Sequence, residues 1–401
     1  MSKFVKLSSI AELTVGFVGT MAKHYEDEGI PFLRSLNIKP FKIISDDMKY
    51  VSAEFSNSLS KSILHKGDVV IVRTGIPGTC CVVPAEYDGC NCSDVVIVHP
   101  NTELVNPHYL AAYINFWGQR QIQNNKVGAI QQHLNVHSAE EMLIFLPDIT
   151  EQEKIAKTIV ALNGKIENNF SVCVELEAMA KTLYDYWFTQ FDFPDENGKP
   201  YCSSGGEMVW NDQLKREIPK GWQVSSIGSV TRNYDSKRVP LSQNERDIMK
   251  GGIPYYGATG IMDYVNRHIF DGQYVLIAED GSVMDVKGNP IVQMIWGKTW
   301  VNNHAHVLQG CNGYSNELLY LLLQHIPVVK IMTGSIQKKI NQDNLNSYNI
   351  PQIPDPISQA FYENVKPMFE KIQSLQDEND ELTKLRDWLL PVLMNGQATV
   401  E

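Results

Sequence analysis

The chain has 401 residues and a mass of 45.3 kDa, with 43% hydrophobic and 20% charged residues. That is more than one hydrophobic core usually serves, and it excludes disorder and collagen-like repetition. The formal net charge of −11 and a pI near 5.4 argue at face value against a polyanionic partner, because Lys and Arg must neutralise the phosphates of a nucleic acid.

No apolar run reaches the ~18–20 residues of a membrane span, and the opening residues Met1–Lys6 lead into polar sequence rather than a signal-peptide core. Seven scattered cysteines fit reduced thiols better than a disulfide framework. A soluble, cytoplasmic protein without crosslinks is expected.

In chain order, the first segment holds short β-type runs between turns, Asp68-Val69-Val70-Ile71-Val72 and Asp94-Val95-Val96-Ile97-Val98. A Pro-containing stop, Leu146-Pro147-Asp148-Ile149, precedes a long helical pattern. Thr150 and Glu153 are spaced as a capping box, which predicts a helix starting there. Apolar residues then alternate by four and three at Ile155, Ile159, Leu162, Ile166, Cys173, Leu176, Ala180, Leu183 and Trp187, a coiled-coil seam broken by Asn169.

The second half repeats the scheme, with runs Tyr274-Val275-Leu276-Ile277 and Ile291-Val292-Gln293-Met294-Ile295-Trp296. A second long pattern follows at Phe361, Val365, Met368, Ile372, Leu375, Leu382, Leu389 and Leu393, with Asn379 and Arg386 as polar seam positions. Pro367 counts against an unbroken second helix. Some forty residues at about 1.5 Å each make the first helix roughly 60 Å long, so both helices read as spacers. Antiparallel pairing of Ile155 with Leu393 and of Trp187 with Phe361 would set Asn169 opposite Asn379, a pair able to fix register. Core packing within two independent domains would also produce such a stripe.

The halves are also similar at matching places. Lys6-Leu7-Ser8-Ser9-Ile10 resembles Gln223-Val224-Ser225-Ser226-Ile227, and Lys66-Gly67-Asp68-Val69-Val70 resembles Asp271-Gly272-Gln273-Tyr274-Val275. Asn106-Pro107-His108 parallels Asn316-Glu317-Leu318, and the run from Gly128 to Asn135 parallels that from Gly334 to Asn341. Ordered anchors of this kind point to an internal repeat. The expected fold class is α+β: two similar mixed α/β domains with a pseudo-two-fold repeat, separated by two long helices forming an antiparallel coiled coil. The boundaries are 1–148 for the first domain, 149–190 for the first helix, 191–216 for a connector, 217–354 for the second domain, and 355–401 for the second helix and tail.

Catalytic signatures are absent or miss their spacing. Gly16-Phe17-Val18-Gly19 and Gly75-Ile76-Pro77-Gly78 lack the rest of a phosphate-cradling or dinucleotide pattern and read as turns. Pro147-Asp148 followed by Gln152-Glu153-Lys154 superficially matches a metal-assisted nuclease motif. Its few intervening residues at a helix start favour capping. Cys80, Cys81, Cys90 and Cys92 have poor zinc spacing and read as buried thiols. His304 and His306 would share one face of a strand, with no carboxylate close in sequence. No metal site and no catalytic residue is assigned.

A family resemblance rests on several runs in order. They are the run from Leu146 to Ile155, the helix end Leu183-Tyr184-Asp185-Tyr186-Trp187-Phe188, Phe191-Asp192-Phe193-Pro194, Glu217-Ile218-Pro219-Lys220-Gly221-Trp222, and Leu389-Leu390-Pro391-Val392-Leu393-Met394-Asn395-Gly396. Together they resemble the specificity subunit of a type I restriction-modification enzyme across essentially the whole chain. The first half lacks the Ile-Pro-Lys-Gly-Trp opener.

The resemblance implies two target-recognition domains, each contacting one half of a bipartite double-stranded DNA site, on antiparallel helices that act as a ruler. It implies a non-catalytic subunit that binds no cofactor itself. Two methyltransferase subunits using S-adenosylmethionine and two motor-nuclease subunits using ATP and Mg would dock on it. A stand-alone nuclease or methyltransferase with an unrecognised site, and a structural adaptor without DNA contact, are the alternatives.

Base reading takes Arg or Lys for guanine and Asn or Gln for adenine, while Lys, Arg, Ser and backbone amides hold phosphates. The polar-loop candidates in the first domain are Lys23, Arg34, Asn37, Arg73, Thr74, Gln131, Gln132 and His133. In the second they are Arg232, Lys237, Arg238, Tyr255, Tyr256, Asn302, Asn303, Gln337, Lys338 and Lys339. The acidity has an address: residues 1–148 carry −3, 149–190 carry −2, 191–216 carry −2, 217–354 carry +1 and 355–401 carry −5. The domains expected to read DNA are near neutral, and the helices and connector hold most of the negative charge.

Overall fold

The computed structural model describes residues 3–118, 134–285, 287–334, 338–395 and 397–398. The chain divides into two compact units, the first comprising Met1–Asn169 with Glu378–Glu401 and the second Phe170–Asp377. Each unit therefore holds part of both long helices. Among the described residues no helix is long and apolar enough to cross a membrane.

The first unit is built on a four-stranded antiparallel sheet in the order Ala11–Val15, Val95–Pro100, Val69–Val72, Cys80–Val82. The β-branched runs at its centre are buried on both faces, which is why they read as continuous rather than alternating apolar sequence. Val69, Ile71, Val96 and Val98 pack with Tyr109, Leu110 and Ile114 on one face. Val70, Val72, Val95 and Ile97 pack with Leu33, Ile38 and Leu64 on the other. Cys80 and Cys81 fall on opposite faces, so they cannot ligate one ion together, and burial pushes both thiols up. A smaller sheet pairs Ile30–Arg34 antiparallel with Lys49–Val51 and parallel with Asn91–Ser93. Lys3–Lys6 pairs with Leu143–Leu146.

The second unit repeats this plan. Its four-stranded sheet runs Thr231–Asn233, Ala305–Gly310, Tyr274–Ala278, Val292–Ile295. A second sheet contains the parallel contact Tyr255↔Trp300 and Tyr256↔Val301. Gln223–Ser226 pairs with Asn349–Gln352.

These ladders shift three of the equivalences expected from sequence similarity. Lys6 pairs with Leu143 as Ser226 pairs with Asn349, so Lys6 rather than Ser9 is the counterpart of Ser226. Val69 pairs with Val98 as Val275 pairs with Leu308, so Val275 rather than Tyr274 matches Val69. A slip of one residue turns every side chain to the other face, and burial on the helix-covered face selects the ladder register. The helix caps Asn106 and Ser315 correspond, one residue from the expected Asn316.

The first long helix is Ile149–Tyr184 and the second Asp355–Met394. The capping expectation is corrected in register. Asp148, not Thr150, precedes the helix, and its carboxylate accepts from the Glu151 N–H at 3.0 Å. Gln152 is fully buried, donating to the Leu104 and Pro147 carbonyls at 3.1 and 2.9 Å and accepting from the Asn106 N–H at 2.9 Å. That geometry removes the nuclease-like reading of the segment.

Pro367 does not break the second helix. Burying Val365, Phe369 and Ile372 at about 1.5–3 kcal/mol each offsets an interior proline's cost of about 3 kcal/mol. The seam also takes Phe369 in place of the expected Met368, because the Phe369 ring meets Tyr320, with centroids 5.7 Å apart.

Within the second unit, Trp187 lies against Phe361 with ring centroids 5.5 Å apart, and Cys173 Sγ faces the Ile372 carbonyl at 3.8 Å. Within the first, Asn169 Nδ2 donates to Asn379 Oδ1 at 3.0 Å and to Glu378 Oε2 at 2.8 Å. Asn379 Nδ2 donates to the Ile166 carbonyl at 3.2 Å, and Arg386 Nη1 to Asn163 Oδ1 at 3.0 Å. The helix segments thus run antiparallel inside each unit.

Candidate nucleic-acid interface

In both units the residue before a helix-capping asparagine is tied to the end of a central strand by the same backbone bond. In the first, strand Val69–Val72 leads into Arg73, whose carbonyl accepts from the Leu134 N–H at 3.0 Å. Asn135 then caps the helix Val136–Glu140 by accepting from the Ser138 N–H. In the second, strand Tyr274–Ala278 leads into Glu279, whose carbonyl accepts from the Ile340 N–H at 2.8 Å, and Asn341 caps the helix Gln342–Ser347. The two helix-capping asparagines and the glycine-led run before each of them are the sequence traces of this arrangement. Gln131, Gln132, His133 and Gln337, all in those runs, lie outside the described residues.

Side chains secure the two tethers differently. Arg73 Nε donates to the Leu134 carbonyl at 3.1 Å. Beside it, Thr74 Oγ1 donates to the Asp94 carboxylate, which also accepts from Ser35 Oγ at 3.0 Å.

In the second unit the corresponding carbonyl, that of Ile340, accepts from His306 Nε2 at 2.8 Å, while His306 Nδ1 lies 2.5 Å from Asp235 Oδ2. A carbonyl only accepts, so Nε2 is the donor there, and Nδ1 of buried His306 faces the Asp235 carboxylate. Asp235 also accepts from the Val307 N–H at 2.8 Å. Glu279 pairs with Arg238 at 2.7 Å and Lys339 at 2.9 Å. Burial works to raise the pKa values of Asp235 and Glu279. The hydrogen bonds from His306 to Asp235, and from Arg238 and Lys339 to Glu279, outweigh it and hold both carboxyls below their usual range. Asp235, Glu279 and His306 are close enough to share a metal ion. Arg238 and Lys339 already neutralise the carboxylates, so the donor set fits an ion-pair network instead.

The candidates for DNA contact sort accordingly. Arg34 is engaged by the Asp47 carbonyl and carboxylate, the latter at 3.0 Å; Asp47, shared with Lys49, is held below its usual range by hydrogen bonds from Lys49 and then Arg34. Asn37 is corrected outright. It is fully buried, accepts from the Arg34 N–H and donates to the Ile44 and Asp46 carbonyls, because its loop folds over its own side chain.

Tyr255 is likewise core. It is 1% exposed, with its hydroxyl accepting from the Leu241 N–H. Asn302 is buried, accepting from the His304 N–H, and Tyr256 packs against a buried cluster. Arg238 is spent on Asp235, Glu279 and the Ala305 carbonyl, and Lys339 on Glu279.

Lys23, Arg232, Lys237 and Asn303 are exposed, and Arg73 and Lys338 half-buried. Sequence reasoning does not find Asp94, Asp235 or Glu279, and it names His306 without a partner. Apart from Arg238, three residues from Asp235, their partners lie far away along the chain, so spacing carries little signal for them.

The duplicated plan has known counterparts. The family described as the type I restriction modification DNA specificity domain matches residues 2–177 and again 219–384. The type I restriction enzyme MjaIX specificity subunit of Methanocaldococcus jannaschii is 24% identical over 417 residues, covering 99% of this chain and 93% of the relative. The HindI specificity subunit of Haemophilus influenzae is 22% identical over 423 residues, covering 87% and 91%. The crystal structure of a type I restriction-modification S subunit from M. genitalium shares the fold at a TM-score of 0.56 and 16% identity, covering 98% and 96%. Two matches to one DNA specificity domain, on two units of one topology, make this chain a member of the type I restriction-modification specificity subunits, which are DNA-recognising and non-catalytic.

Proposed function

We propose that this specificity subunit reads a two-part duplex target, one part per unit, in a cytoplasmic assembly with two methyltransferase subunits and two motor-nuclease subunits. The chemistry belongs to those partners: adenine methylation with S-adenosylmethionine, and ATP- and Mg-dependent translocation and cleavage. This chain supplies the address.

The observation that carries the reading is the repeated tether. In both units the residue before a helix-capping asparagine, Leu134 or Ile340, is anchored at the end of the central strand by a backbone bond, with a different side-chain network around each. A common scaffold with divergent polar surroundings suits two readers of different base sequences. Lys23 and Arg73 in the first unit, and Arg232, Lys237, Asn303 and Lys338 in the second, are the side chains we assign to DNA.

Mapping methylated adenines in DNA from cells carrying the system tests this directly. A motif in two specified blocks separated by unspecified bases is expected; a single uninterrupted block refutes the two-reader model. Sequence-specific protection of DNA by the reconstituted methyltransferase separates a reader from an adaptor that holds subunits without touching DNA.

A further inference from the structure

A cavity of about 670 Å³ opens in the second unit where the end of the first long helix, the segment before Trp222 and the end of the helix Asn316–Gln324 meet. Acids outnumber bases 46 to 35 in the chain, yet among the described residues no Asp or Glu lines this cavity, while Arg216, His325 and Lys330 do.

Each of these three basic groups is accounted for differently. His325 Nδ1 lies 2.7 Å from the Leu321 carbonyl and Nε2 2.9 Å from Asp185 Oδ1. Both ring nitrogens are thus taken up, one by a helix carbonyl and one by the Asp185 carboxylate. Arg216 Nη2 donates to the Thr189 carbonyl at 2.9 Å, and its guanidinium carbon sits 4.5 Å from the centre of the Phe191 ring. Burial pulls its pKa down, the mark of a desolvated charge. Among the described residues neither Arg216 nor Lys330 has a carboxylate within ion-pair distance. Two positive charges therefore face a recess whose other walls include Leu214, Trp222, Leu322 and Ile326.

A desolvated cation without a counter-ion is costly unless something anionic completes it. The phosphates of duplex DNA lie on a rigid surface far wider than this recess and offer nothing to its apolar walls. A protruding peptide offers both a carboxylate and an adjoining apolar side chain.

We propose that this cleft receives a carboxylate-bearing segment of a partner protein, an Asp or Glu side chain or a chain end beside an apolar residue, and that the partner is the methyltransferase subunit. The proposal rests on the assembly put forward under the proposed function.

The test titrates the purified full chain and its Arg216→Gln and Lys330→Gln variants against the purified methyltransferase subunit at low and high salt, with thermal melting as a check on folding. Each variant is expected to weaken assembly about tenfold at low salt and to flatten its salt dependence, with melting of the exposed Lys330→Gln variant unchanged. Assembly within twofold of the unsubstituted chain for Lys330→Gln and for a folded Arg216→Gln overturns the cleft's role. So does unchanged assembly accompanied by lost binding of inorganic phosphate or DNA. If the unsubstituted chain itself does not assemble with the methyltransferase, the assembly reading fails and the cleft proposal falls with it.

Discussion

Replacing Asn169 by Ala removes the donor of two hydrogen bonds, to Asn379 Oδ1 at 3.0 Å and Glu378 Oε2 at 2.8 Å, from a position only 1% exposed. Glu378 keeps a salt bridge with Lys165 at 3.3 Å and is partly solvated, so its loss is small. Asn379, half-buried between two helices, loses the donor to its Oδ1, so the cost lies at the low end of the about 1–3 kcal/mol of a stranded buried polar group. A loss of about 1 kcal/mol is therefore expected for Asn169→Ala, and a similar loss for Asn379→Ala, which also removes a second hydrogen bond to the Ile166 carbonyl but leaves that carbonyl its helical partner. Replacing both by Leu removes the stranded groups together and is expected to be neutral or stabilising. Urea unfolding followed by circular dichroism, run as a double-mutant cycle on the two Ala variants, should return a coupling of about 1 kcal/mol. A coupling indistinguishable from zero would show that the amide contact carries no energy, and would refute its use as a register device.

Two further outcomes follow from the same geometry. The hydrogen bond His99 donates to Asp68 raises the His99 pKa, so that pair stabilises the first unit fully below the unfolded value of about 6.5 and loses the contribution as pH rises through the folded pKa. Depressed Asp235 and Glu279 act oppositely in the second unit. Their contribution is full above the ordinary carboxylate range of about 4 and is lost as pH falls through their lowered values. Urea midpoints across pH 3–8 (about that range) should lose the neutral-side dependence in His99→Gln and the acid-side dependence in Asp235→Asn; unchanged profiles would contradict the assignment. For DNA, Arg232→Ala and Lys237→Ala should each reduce the slope of log affinity against log salt by about one, read by titration at several salt concentrations. An unaltered slope removes that residue from the interface.

The long helices and the internal duplication were legible because they repeat. A four–three alternation of apolar residues sustained along a whole long helix arises when one face of that helix is buried along its length. Counting along two antiparallel seams then brings Asn169 to Asn379 from numbering alone. Strand register was less legible. Similar residues aligned Val69 with Tyr274, and only the ladder to Val98 and Leu308 shows that Val275 is the counterpart. Local polarity was a weak guide to the interface, because a loop asparagine or arginine looks the same whether it faces DNA or its own backbone.

The sequence by itself determined that this protein has two similar α/β units, two long amphipathic helices and no recognisable catalytic motif, and its ordered motifs carried the family resemblance. Those features depend on periodicity and order along the chain, which survive without coordinates. Only the tertiary structure decided that Asn37, Tyr255 and Asn302 turn inward, that Arg238 and Lys339 are spent on Glu279, and that Arg216 and Lys330 face a cavity without an acid among its described walls. The physical reason is separation. His306 meets Asp235 across 71 residues and Arg238 meets Glu279 across 41, and hydrogen bonds of that span depend on how strands from distant segments are laid side by side.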